Sequence, residues 1–138
     1  MLSAIKQQFV EFLNHLGYQV ADNGIYREEF PYLMVRTTGF DFVESSDTRI
    51  SAITLTLDIF STYNGEKEII NISEDILEHL QEMRKNNKDI TMVSQSGMKI
   101  IGDRETGPVR KHGIISYNFI VTSGLKEAKD ETADSAGD

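Results

Sequence analysis

Between Ile53 and Ile59 every second residue is aliphatic: Ile53, Leu55, Leu57 and Ile59 alternate with Thr54, Thr56 and Asp58. Successive side chains of a strand point to opposite faces, so this stretch reads as a strand with one buried face. Phe60 ends the alternation, and Tyr63-Asn64-Gly65 reads as a turn. A strand of this kind needs a covering layer, and two helical patterns offer one. Leu2, Ile5, Phe9, Phe12, Leu13 and Leu16 recur every three or four residues, opposite a polar face of Lys6, Gln7, Glu11 and Asn14. Ser3 is placed to cap that helix, and Gly17 stands where a closing glycine belongs. The second pattern begins near Glu66 and runs to about Arg84, with Ile69, Ile72, Ile76, Leu80 and Met83 in the stripe and Leu77 at its margin. Glu66 and Glu68 lie near the positive end of its dipole, Arg84 and Lys85 near the negative end.

Three further strand regions surround these elements. Tyr18, Val20 and Tyr26, around the turn signal Asp22-Asn23-Gly24, predict a short hairpin or irregular edge. Pro31 precedes a strand, Tyr32 to Thr37, with Leu33 and Val35 on one side. Residues 39–48 are polar and acidic (Asp41, Glu44, Asp47, with Ser45-Ser46 between) and read as an exposed loop free to order against a partner. Residues 90–101 form a strand interrupted by Ser94-Gln95-Ser96-Gly97, a bulge or a break. Residues 114–122 form the last strand, with Ile115, Tyr117, Phe119 and Val121 on one side. Residues 102–113 between them read as a long polar loop made locally positive by Arg104, Arg110 and Lys111. From Gly124 onward small and charged residues dominate, too few apolar groups to offset the entropy of ordering, so 124–138 is expected to be a disordered acidic tail. Residues 1–123 are then one α+β domain: a two-layer arrangement, a mainly antiparallel sheet with two amphipathic helices packed on one face. A chain of 138 residues accommodates one such core.

Composition narrows the function. A net charge of −8 argues against wrapping a phosphate backbone by bulk electrostatics. The absence of cysteine removes disulfides and thiolate metal sites. No apolar run approaches the ~20 residues that span a bilayer, and the start lacks a basic segment before an apolar one, so neither a membrane partner nor a signal peptide is expected. His79, beside Glu78, has no second histidine at ligand spacing and reads as a half-exposed helix residue. Asp41, Asp58 and Asp103 offer a nuclease-like carboxylate set, but Asp58 on the polar side of its strand is expected to pair with an Arg or Lys instead. Gly97, Gly102, Gly107 and Gly113 form no phosphate loop, and Ser94 and Ser96 have no paired base. The expectation is a protein without catalytic residues, cofactor or metal.

The run Leu55-Thr56-Leu57-Asp58-Ile59-Phe60-Ser61, then Tyr63-Asn64-Gly65, then the helix from Glu66, resembles a pattern in the tail terminator, or tail-to-head joining, proteins of long-tailed phages. The resemblance spans residues 1–123 and includes the order of the elements. It implies a virion protein, assembled in the host cytoplasm, that caps the tail tube and joins the tail to the head. Its implied partners are the tail tube protein, the head completion or connector protein, and five further copies of itself in a ring. DNA would pass through that ring without sequence-specific binding. Loop residues Arg104, Arg110, Lys111, Asp41, Glu44 and Asp47 are the candidate interaction residues. The alternative is an adaptor that binds a peptide along an open sheet edge near Tyr32 to Thr37.

Overall fold

In the computed structural model, residues 2–21, 29–102 and 109–124 are described. They form α1 (Leu2–His15), β1 (Tyr32–Glu44), β2 (Thr48–Ser61), α2 (Lys67–His79), α3 (Glu82–Asn86), β3 (Ile90–Gly102) and β4 (Lys111–Gly124). The strands make one antiparallel sheet in the order β1-β2-β4-β3. β2 and β3 therefore run the same way with β4 inserted between them, and α2 with α3 forms the crossover. The architecture is the expected two-layer α+β domain, with the helices on one face.

The covered face follows from the alternation. Across β2 and β4 the register sets Ile53 beside Phe119, Leu55 beside Tyr117 and Leu57 beside Ile115, all essentially inaccessible. Ile5, Phe9 and Leu13 of α1 close over them, with the Phe9 ring 4.9 Å from Tyr117 and 5.7 Å from Phe119. Removing such apolar area from water contributes about 25 cal/mol per Å² and is what holds the layers together. α1 ends as expected at Gly17, with φ +101°, where Tyr18 N–H donates to the Leu13 carbonyl and Gly17 N–H to that of Asn14. The helix starts at Leu2, so Ser3 lies inside it and is not its cap.

The second helical pattern is one stripe on two helices. Ile69, Ile72, Ile76, Leu80 and Met83 are all buried, and Leu77 is exposed at the margin. At Leu80, Met83 and Arg84 the backbone N–H groups reach back only three residues, tightening the chain between α2 and α3 without breaking the stripe. α2 sits so close to the sheet that a Cβ at Gly113 would come within 2.5 Å of Ile69 Cγ2. No helix among the described residues is long and apolar enough to cross a membrane.

Of two expected loops, the first is largely strand and the second is strand at both its described ends, with 103–108 outside the described residues. β1 continues through the acidic stretch to Glu44, pairing with β2 down to Glu44 opposite Arg49, and only Ser45 to Asp47 form the turn. At the other hairpin β3 continues to Gly102, and β4 begins at Lys111, opposite Gly102 and Ser61. The predicted interruption at 94–97 is a bulge at Gly97 (φ +57°) within a continuous β3, and a second irregularity lies between Ile90 and Met92. Gly124, assigned to the tail, is the last residue of β4. The tail beyond it, residues 125–138, lies outside the described residues, as does the turn expected at Asp22-Asn23-Gly24.

Candidate interaction surface

The sheet face turned away from the helices is built around Asp58, which is only 4% exposed. Arg36 Nε donates to Asp58 Oδ2 at 2.6 Å, and Arg36 Nη2 and His112 Nε2 donate to Oδ1 at 3.2 and 2.9 Å. Burial alone would push this carboxyl up. The hydrogen bonds and positive charge of His112 and Arg36 outweigh that and hold it below the usual carboxylate value. Phe60 stacks between Tyr32 (4.7 Å) and His112 (4.4 Å). Ser61, buried at the strand end, donates to Glu68 of α2 at 2.6 Å and accepts from Tyr63 N–H at 3.1 Å. The segment 58–61 is thus a joint that fixes β1, β4 and α2 to β2. With Asp58 held by Arg36 and His112, and Asp41 paired with Ala52 about 20 Å along β2 at ~3.4 Å per residue, the carboxylate set does not gather; Asp103 lies outside the described residues.

Beyond this joint, β1 runs on without cover. From Arg36 to Glu44 only Gly39 is even half-buried. Phe40 and Phe42 are 46% and 50% exposed on one face of this edge strand, and Val43 (70%) with Ile50 of β2 (47%) on the other. Strand edges of this kind are normally blunted by Lys or Pro, and this one carries neither. Its charge is acidic. Glu44 is neutralised by Arg49, whose guanidinium also lies 5.3 Å from the Phe42 ring centre. Among the described residues, Asp41 and Asp47 accept only local hydrogen bonds, from Phe42 N–H and Thr48 Oγ1. The edge near Leu33, expected to be open, is occupied by the chain after α1: Leu33 N–H donates to the Gln19 carbonyl and its carbonyl accepts from Ala21 N–H.

The positive residues lie at the opposite corner. Lys111 begins β4 beside Gly102, and Arg110 is exposed, its N–H donating to the Ser61 carbonyl at 2.8 Å. Arg104 lies outside the described residues. Near them on the outer edge of β3 stand Met98 (45% exposed), Lys99 and Ile101 (39%). Of the expected interaction residues that are described, exposed Asp41, Glu44 and Asp47 stand at one corner of the sheet, and exposed Arg110 with half-buried Lys111 at the other. The sequence reading missed the apolar members Phe40, Phe42, Val43, Met98 and Ile101. The one signal for them was the alternation of Phe40 and Phe42 around Asp41.

Elsewhere, ligand-capable atoms of Asp75, Glu78 and His79 approach within 4.8 Å of one another on the solvent side of α2. His79 Nδ1 meets the Asp75 carbonyl at 2.9 Å, and that bond, with neighbouring carboxylates, raises its pKa. This accords with the half-exposed helix histidine expected. A cleft of about 480 Å³ lies between Tyr18, Pro31, Tyr63, Lys67 and Asn71, and Tyr18 closes one side by donating to Asp75. No protein-family model matches the chain, and no curated protein sequence matches it either.

Proposed function

We propose that this protein is a structural subunit of a phage tail, a ring-forming terminator that caps the tail tube and joins it to the head. The observation that carries the reading is the uncovered far half of β1, nine residues of strand with Phe40, Phe42 and Val43 in water. A monomer gains nothing from such an edge, whereas an assembly subunit buries it. The order α1, hairpin, helix, hairpin and the tightly held Asp58-Ile59-Phe60-Ser61 joint support the same reading. A ring needs different surfaces on the two sides of each subunit, and two unlike corners supply them. The net charge of −8 suits a channel that lets DNA pass by like-charge repulsion with phosphate.

The test is assembly in the phage that encodes the chain. Without the protein, tails are expected to fail to join filled heads, and added purified protein restores joined particles counted by electron microscopy. Heads that join normally in its absence would refute the reading. The open edge also favours a second reading, an adaptor that pairs with an extended peptide. A short peptide that binds residues 36–44 in an otherwise monomeric protein, with no effect on tail joining, distinguishes the two.

A further inference from the structure

The register of the sheet gives the two exposed corners a chemical complementarity. Phe40 and Phe42 lie on the helix-side face, level with Ile53 and Ser51, while Asp41 and Val43 lie on the outer face, level with Ala52 and Ile50. On β3, Met98 and Ile100 share the helix-side face with Ile115 and Gly113, while Lys99 and Ile101 share the outer face with Ile114 and His112. Each segment thus presents two apolar groups on one face, with Glu44, paired to Arg49, at the end of the β1 one, and on the other face one charge beside one aliphatic residue. The charges are opposite, and neither Asp41 nor Lys99 has an ionic partner among the described residues.

We propose that residues 40–44 of one copy dock along residues 98–102 of a second copy, edge to edge, so that the sheet continues from subunit to subunit. Residues 98–102 are the regular part of β3 beyond the Gly97 bulge, and they match residues 40–44 in length. In the joined sheet Asp41 and Val43 share a face with Lys99 and Ile101, and Phe40 and Phe42 share the other with Met98 and Ile100. Pairing of β1 with β1 would bring the acidic residues Asp41 and Glu44 of the two copies together, which like-charge repulsion opposes. β1 and β3 are the two outer strands, and their exposed segments lie at diagonally opposite corners, so one molecule cannot satisfy itself. The contact is head-to-tail and generates rings or open chains, not closed dimers. This rests on the proposed function for its setting but not for its test.

The chain has no cysteine, so introduced thiols are unique. Full-length protein carrying both Val43→Cys and Ile101→Cys is treated with a short bis-maleimide, and products are separated under denaturing conditions. A ladder extending past the dimer is expected from the double variant, and uncrosslinked monomer from either single variant. Lys99→Glu should cut the ladder at least about tenfold, and exchanging the charges with Asp41→Lys and Lys99→Asp should restore it. Dimer from Val43→Cys alone would mean β1 pairs with itself and overturns the proposal, as does a double variant that stays monomeric. A variant that does not crosslink but still completes tails removes this contact and leaves the proposed function standing. A full ladder from protein that never completes tails does the reverse.

Discussion

At the scale of single residues, the most consequential group is the Asp58 carboxylate. It is buried but satisfied by three hydrogen bonds, so its removal leaves the Arg36 and His112 donors without their acceptor. Asp58→Ala is expected to lower the unfolding free energy by about 1–3 kcal/mol in urea titrations at neutral pH. Because folding depresses this pKa below its ordinary 3.8, the unfolded chain binds the proton more readily. The stabilisation is therefore complete above the unfolded value and is lost as pH falls through the folded one. Stability should be flat above about pH 5 and decline below about pH 4, and Asp58→Asn should flatten that decline. Tyr117 offers the opposite case. Its hydroxyl is buried with no hydrogen-bond partner among the described residues, and burial raises its pKa. Tyr117→Phe should leave the packing on Phe9 unchanged and raise stability by up to about 1 kcal/mol in thermal melts.

At the scale of elements, α2 approaches β4 closely at Gly113, where there is no room for a Cβ. Gly113→Ala puts a methyl group 2.5 Å from Ile69 Cγ2, so the helix must lift or the strand must bend. The expected loss is about 1–3 kcal/mol. Ile69→Ala removes the obstructing methyl, so the double variant should lose less than the sum of the two single variants, a coupling that a double-mutant cycle reads directly. How far the elements could be read from sequence depended on whether their partners were local. β2 and α2 declare themselves because each owns a full apolar stripe, Ile53 to Ile59 and Ile69 to Met83. The far half of β1 has no such stripe, since it is exposed on both faces and contains Gly39, Asp41 and Glu44, residue types depleted in strands. What makes it a strand is pairing with residues 49–54, a long-range bond pattern of which its own sequence shows only the short alternation of Phe40 and Phe42 around Asp41. The same holds for Lys111 and His112, drawn into β4 by Ser61 and Phe60 some fifty residues earlier. Asp58 is paired as the sequence suggested, with an arginine, and the structure identifies it as Arg36. The role of His112 was hidden because its strand was.

At the scale of the whole molecule, the fold separates two tasks. The helix-covered face holds the protein together, and the ends of the outer strands stay exposed, the part that the proposed function assigns to assembly. The uncovered β1 segment makes no contribution to the core, so changing it should affect assembly and not folding. Phe40→Ser with Phe42→Ser is expected to shift stability by no more than about 0.5 kcal/mol per site, as for surface substitutions generally. The most direct test of this account is therefore the fraction of heads carrying tails when that double variant replaces the natural protein. A well-folded variant that leaves heads and tails unjoined is the predicted result. A well-folded variant that joins them as efficiently as the natural chain would contradict the account.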